Sequence, residues 1–387
     1  MTESHVRQVE PKHEGRLIAQ YREAAGLSQQ KLAEYMQVSV HTVQRMEKEV
    51  KIKDLYRRRL LVALLGIPVA YLRLDQEEQK GEEKWLLLLN DDPMSFVEDM
   101  VANRWKTHLM GGPLSAAHGL GRMVKEVEGF TQNAQGKEWH QRANVQLCMA
   151  YQLQASVVGD MMRYDQALKT YKQAFAVARE LNDVELQASI RVREAVVFMR
   201  KDEPLTAITH LDDGLDLITG QGFPHLRGNM LALLSEAYAK AQRPQECWRN
   251  IGLAERVLEQ DGSLKERSHR AFNPAWVVAH KGVDALLLND YDRALKLIDK
   301  SLKMYNPTLT PGRARLLARK AEAYYGLNEI DDCTAVAEEA LMLSYSVGAS
   351  NTITRVKSLH ATLAQSRWGR EPGVARLGAV IATSKGG

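Results

Sequence analysis

Five segments of one pattern recur along the chain: YDQALKTYKQAFA, PLTAITHLDDGLD, PQECWRNIGLAER, YDRALKLIDKSLK and IDDCTAVAEEALM. Each carries a small residue, an apolar residue four later and a small residue three after that. The anchoring residues Ala167, Ala207, Cys247, Ala294 and Cys333 are separated by 40, 40, 47 and 39 positions. Steps of four and three place all three residues on one face of a helix. A small residue repeated there suits a close crossing with a neighbouring helix, and the preceding segments carry small–aromatic pairs such as Ala237-Tyr238 and Ala323-Tyr324. One helical pair cannot bury its apolar face alone, so a period of this length implies a stacked array. Sustained period-two alternation and Asn-Gly hairpin turns are lacking, and Ala, Leu, Glu, Lys, Arg and Gln, all good helix formers, fill the segments. The spacing therefore predicts an all-α chain.

Over residues 148–347 these segments resemble tetratricopeptide repeats (TPR), stretched from the usual 34 residues to about 40. The resemblance implies a TPR-like α-solenoid whose first helices line a concave groove that holds an extended peptide or a partner helix. Counted along each repeat, the groove positions are Gln152, Ser156 and Asp160, then Ser189 and Arg200, then Asn229, Glu236 and Lys240, then Trp276, and finally Arg315, Glu322 and Tyr325. Polar side chains there suit a peptide backbone, while Trp276 and Tyr325 suit apolar side chains. Cys247 and Cys333 fill the small-residue slot as core residues. Residues 85–147 are expected to cap or extend the array, and Asn351 to Ser366 to close its far end, giving a repeat domain over 148–366. Residues 367–387, Gly-rich and small, are expected to be a flexible tail.

The first fifth of the chain is different. Of a net charge of +4, residues 1–75 carry all the excess, and Val40 to Arg59 holds seven basic residues against three acidic. Such an excess suits a polyanion; the run Arg57 to Arg59 is read as a solvated helix face. Leu17, Ile18, Tyr21, Ala24 and Ala25 mark a first helix ended by Gly26. Ser28 caps a second helix over Gln29 to Met36, with Leu32, Ala33 and Met36 inward. Ser39 caps a third over Val40 to Lys48, with Val43 and Met46 inward. Ala33 is small where two helices must cross. These are the marks of a helix-turn-helix, and the acidic stretch DQEEQKGEEK over 75–84 reads as a linker.

The stretch AGLSQQKLAEYMQVSVHTVQRMEKE resembles the Cro/C1-type (XRE) helix-turn-helix of phage repressors and bacterial regulators. With LLVALLGIPVAYL it implies a five-helix, lambda-repressor-like DNA-binding domain over 14–74. In that family a first-helix Arg pairs with a Glu at the end of the recognition helix, which maps onto Arg22 and Glu47. The DNA-contacting positions map onto Gln29, Val40, His41, Thr42, Gln44 and Arg45. Two departures stand out: Gln37 occupies the turn where Gly is usual, and Lys48-Glu49 replaces the usual Asn-Gly. Physical chemistry supports the same face. His41, Gln44 and Arg45 suit base edges in a major groove about 12 Å wide. Ser39 lies at the helix start, and Lys48, Lys51 and Lys53 suit phosphates.

Several function classes are disfavoured. At 45% hydrophobic and 26% charged residues the chain can bury a core and is not biased toward disorder. Its longest apolar run, Leu60 to Leu72, contains Gly66 and Pro68 and falls short of the roughly 20 residues a membrane span needs. The N-terminal segment has no apolar signal region. Three scattered cysteines suggest neither a disulfide framework nor a zinc cluster, so a cytoplasmic, reducing location is expected. No GxxxxGK[ST], GxGxxG, HExxH or GxSxG motif occurs, the histidines lack metal-ligand spacing, and carboxylates adjacent in sequence point apart on a helix. The expectation is a protein that is no enzyme, needs no cofactor or metal and contacts no membrane.

An XRE-type domain followed by TPR-like repeats resembles the RRNPP class of bacterial peptide-sensing transcription regulators. The resemblance implies a homodimer that reads a palindromic operator in double-stranded DNA, with a short peptide or protein ligand in the repeat groove. A rival reading is a TPR scaffold that binds a protein partner and uses the helix-turn-helix for recruitment to DNA.

Overall fold

The computed structural model describes residues 13–36, 38–49, 52, 54–67, 69–72, 93–134, 136–259 and 272–383. Among these there are eighteen α-helices, one 3₁₀ turn and no strand. They belong to two compact units, Met1–Asn103 with His118–Glu126 and Arg104–Ala117 with Val127–Gly387. Gln37, Lys51, Lys53 and the 75–84 linker lie outside the described residues.

The first unit contains α1 (Glu14–Ala24), α2 (Gln29–Tyr35), α3 (Val40–Lys48) and α4 (Leu55–Leu65), followed by a 3₁₀ turn over Val69–Leu72 in place of a full fifth helix. Local chemistry sets these ends. Gly26 turns left-handed (φ 66°) after α1, and Gly66 (φ 67°) caps α4. The Ser28 and Ser39 hydroxyls accept the Lys31 and Thr42 amide hydrogens at 3.1 and 3.2 Å, satisfying donors that the first helical turn leaves open. Ile18, Leu32, Val43, Met46, Ile52, Leu61, Ile67 and Leu72 form one buried cluster. Gly15 has a steric reason to be Gly: a Cβ there would lie 2.5 Å from the Met46 carbonyl oxygen, and its amide donates to the Glu49 carbonyl at 3.0 Å. The start of α1 is thereby docked on the end of α3. Arg58 departs from the expected solvated run: it is buried and donates to the Leu72 carbonyl at 3.1 Å.

The remaining helices are α5 (Pro93–Ala117), α6 (Leu120–Asn133), α7 (Lys137–Asp160), α8 (Tyr164–Glu180), α9 (Val184–Arg200), α10 (Pro204–Leu217), α11 (Pro224–Lys240), α12 (Pro244–Glu259), α13 (Pro274–Leu287), α14 (Tyr291–Met304), α15 (Thr310–Gly326), α16 (Ile330–Val347), α17 (Ser350–Gln365) and α18 (Pro372–Thr383). From α7 onward they pair as antiparallel neighbours, α7 with α8 through α15 with α16, and each pair packs on the next. All five anchors are fully buried, as are the apolar and small residues that follow them in the pattern. Met162, Asp202, Gln242, Asn289 and Asn328 each stand five residues before an anchor, all left-handed with φ between 57° and 64°. At each of these turns the following amide bonds back to the preceding helix, as Arg163 does to Val158 and Glu203 to Phe198. That Schellman closure satisfies the helix end and offsets the cost of about 1 kcal/mol that a non-Gly residue meets there. The repeat therefore includes its turn. The 47-residue interval coincides with the connection between α12 and α13.

The two ends of the array meet. Gly112 breaks α5 (φ 75°) just before Pro113, and a Cβ there would stand 2.5 Å from the Val347 carbonyl oxygen. The Tyr164 hydroxyl donates to Asn351 Oδ1 at 2.5 Å, while Asn351 Nδ2 donates to the Gly159 and Asp160 carbonyls at 3.4 and 3.3 Å. The expected flexible tail is corrected in part: α18 is ordered, with Val374 and Leu377 buried in the α15–α17 core and Arg376 paired to Glu338 at 2.7 Å.

Candidate functional site

In the first unit, α3 buries Val43 and Met46 and exposes His41, Gln44, Arg45 and Lys48. Its orientation is fixed from behind. Arg22 Nε donates to Glu47 Oε1 at 2.5 Å and Gln29 Nε2 donates to Glu47 Oε2 at 2.6 Å. Arg22 also donates to the Leu27 carbonyl at 2.7 Å, so α1, the turn after it, α2 and α3 share one buried pair. The Glu47 hydrogen bond and charge outweigh burial and raise the Arg22 pKa. Not every expected reader is free. Gln29 is held by Glu47, Ser39 is spent as a cap and bonds the Thr42 hydroxyl at 2.9 Å, and Val40 packs against the core. Arg45 has a loose partner, Glu49, at 3.6 Å. Arg16, Gln20, Gln44 and Lys48 border one shallow open concavity with Gln29 and Glu47.

In the second unit a groove of about 740 Å³ is lined by Asp160, Arg200, Glu236, Lys240, Trp276, Arg315, Glu322 and Tyr325, all expected there. Four other expected groove residues are elsewhere. Gln152 and Ser156 are buried around Arg193, which donates to Gln152 Oε1 at 2.9 Å and reaches Ser156 Oγ at 3.5 Å, with its guanidinium 4.3 Å from the Trp105 ring centre. Ser189 is drawn into the same cluster through Gln152 Oε1 at 3.1 Å. Asn229 is buried in the interior of α11. Conversely, His108, Arg319, Asn351 and Arg355 line the groove without having been marked by the repeat pattern.

The groove is charged and cross-linked. Asp160 lies between His108 Nε2 at 2.8 Å and Arg200 Nη1 at 2.6 Å. Burial alone would raise its pKa, but the Arg200 charge and the His108 contact prevail and hold it well below the usual carboxylate range. Glu236 meets His280 at 3.1 Å and Arg319 at 3.6 Å, and those groups likewise overcome its burial and lower its pKa. Arg319 and Arg355 reach opposite oxygens of Glu322 at 3.1 and 2.8 Å. Lys240 donates to the Met199 carbonyl at 3.0 Å and pairs with Asp202. Arg315 is different: its guanidinium lies 5.4 Å from the centre of the Trp276 ring, no carboxylate among the described residues lies within ion-pair distance of it, and its charge acts on Glu236 only at longer range. Tyr305, Leu309 and Pro311 line the same groove.

A helix-turn-helix family model matches residues 18–72. Residues 18–72 of the first unit are an XRE-type helix-turn-helix. The second unit is a TPR-like helical-repeat array. No curated protein matches the chain. Among solved structures, a Rap protein complexed with competence and sporulation factor is 11% identical, with 87% of this chain and 86% of that one covered at a TM-score of 0.50; this likeness is one of fold. Bacillus thuringiensis PlcR in complex with the peptide PapR7 and DNA is 14% identical over 92% and 100% of the two chains, at a TM-score of 0.38. BtubC from P. vanneervenii is 15% identical over 59% and 92%, at 0.42. Among the described residues no helix is long and apolar enough to cross a membrane, and no cluster of metal-ligating side chains occurs.

Proposed function

We propose that the protein is a ligand-responsive, sequence-specific DNA-binding transcription regulator. The reading is carried by one observation: α3 is locked by a buried ion pair on its inner side and keeps His41, Gln44, Arg45 and Lys48 exposed on its outer side. A helix of nine residues, about 14 Å long, presented in this way enters a major groove and places donors against base edges. Thr42, half-buried at its start, joins them, and Lys51 and Lys53 are expected to contact phosphates. In this reading the chain acts as a homodimer on a palindromic operator, and the groove of the second unit takes a short peptide. Occupancy shifts the protein between a state that binds DNA well and one that does not. To serve as a switch the peptide must favour one state by several kcal/mol, since equal affinity for both shifts nothing. The order of the two units, as in the RRNPP architecture, supports it.

The direct test is selection of DNA sites from random duplexes by the full-length protein. The expected result is enrichment of a two-fold symmetric sequence that a Gln44→Ala, Arg45→Ala variant no longer selects. Failure to enrich any sequence contradicts the reading.

A further inference from the structure

The charges of the groove do not balance. Its three acids are each held by two basic groups: Asp160 by Arg200 and His108, Glu236 by Arg319 and His280, Glu322 by Arg319 and Arg355. Lys240 is satisfied by Asp202 and a carbonyl. Arg315 remains, half-exposed, with a ring beneath it, no carboxylate among the described residues within ion-pair distance, and Glu236 felt only as a longer-range charge. Behind the groove wall Arg193 adds a buried cation whose hydrogen-bond partners, Gln152 and Ser156, are neutral. A guanidinium stacked on an indole is held in place, poorly hydrated on one side and open on its edge, which suits a planar anion. Tyr305, Leu309 and Pro311 line the same groove and add apolar surface to it.

We infer that the groove takes a ligand bearing a carboxylate, seated with that carboxylate on Arg315 and a neighbouring apolar group against Trp276, Tyr305 and Leu309. This rests on the peptide reading above, and the carboxylate is either the free C-terminus of the peptide or an Asp or Glu side chain within it. Phosphate is a poorer fit, because a dianion would have to sit within the field that Glu236 and Glu322 already place beside Arg319. The same geometry gives the ligand a direction: its anionic group lies at the start of α15, and the rest runs along the first helices toward Arg200 and Asp160.

The test uses the full-length protein and two libraries of N-acetylated random heptapeptides, one ending in a free carboxylate and the other amidated. Peptides retained by the immobilised protein are identified by mass spectrometry, with Arg315→Gln in parallel and its thermal midpoint checked for an intact fold. The expected result is preferential retention, by about tenfold as one charge-assisted hydrogen bond gives, of peptides with a carboxylate. Enrichment confined to the free-carboxylate library assigns the C-terminus; enrichment of Asp or Glu in the amidated library assigns a side chain. In either case R315Q loses the preference and keeps its retention of neutral peptides. Equal retention with and without a carboxylate, or a preference that survives R315Q, overturns the inference and leaves the peptide reading standing. Retention of neither library overturns both.

Discussion

Replacing Glu47 by Ala should unlatch the helix-turn-helix while leaving its surface chemistry in place. Glu47 accepts hydrogen bonds from Arg22 Nε and Gln29 Nε2, and both members of the ion pair are about 9% exposed. Removing one partner of a buried pair strands the other, at a cost of about 3–5 kcal/mol. Arg22 keeps the Leu27 carbonyl and the exposed Glu23 as partners, so the lower figure, about 3 kcal/mol, applies. A unit of this size holds only about 3–9 kcal/mol of stability in total, so most of it would be lost. Hydrogen exchange in the full-length protein reads this locally. Amides of Leu32 and Val43, buried in the first unit, should exchange about a hundredfold faster, as 3 kcal/mol implies, with α7–α16 unaffected. Replacing both partners, Arg22→Met with Glu47→Leu, should recover much of the loss because no charge is then stranded. A change below about threefold in E47A, equivalent to less than 1 kcal/mol, would refute the view that this pair sets the position of α3.

Four other outcomes are expected. Arg45→Ala should weaken binding to the selected site by about 1–3 kcal/mol in a mobility-shift titration with the fold intact; unchanged affinity removes Arg45 from the readers. Lys48→Ala should weaken binding to all sequences and flatten the salt slope by about one unit, and Lys51→Ala should do the same; a change in sequence preference instead contradicts a phosphate role. Gly15→Ala should destabilise the first unit by about 1–3 kcal/mol, since its Cβ would strike the Met46 and Glu47 carbonyls, and a neutral result would mean that α1 and α3 can separate freely. Burial, with Glu236 nearby, raises the Asp284 carboxyl well above its usual range, although the neighbouring Ser235 and Cys247 oppose the rise. Its native state therefore holds a proton that the unfolded chain releases near pH 4, so this group's contribution to stability falls as pH rises above that point. Asp284→Asn should accordingly raise the thermal midpoint more at pH 8 than at pH 5; an equal shift at both would contradict the buried, protonated carboxyl.

The repeat was legible because its signal is steric. A small residue recurring at one helix crossing leaves a mark in any sequence that packs this way, and the five anchors proved to be the buried crossings. The caps at Ser28 and Ser39 were legible for a similar reason, since hydroxyls at helix starts have one local job. Groove positions were less legible. Counting along a helix names a face to within about one turn, and that error put Gln152, Ser156 and Asn229 inside. There, Arg193 claims the first two as hydrogen-bond partners. Arg355 and Asn351 were missed because α17 was expected to be a plain cap, whereas it supplies a wall of the groove. His108 comes from a helix outside the repeat pattern. The C-terminal helix did leave a signal, Val374, Leu377 and Ile381 at helical spacing, which the surrounding glycines obscured.

The most direct test of the whole account is footprinting of the full-length protein on DNA fragments around its own gene, with and without concentrated supernatant from the native culture. The expected result is protection of a two-fold symmetric site and a change in that protection when supernatant is added. Protection indifferent to the supernatant, or no protection under either condition, would contradict the claim that the repeats sense a ligand on behalf of the DNA-binding unit.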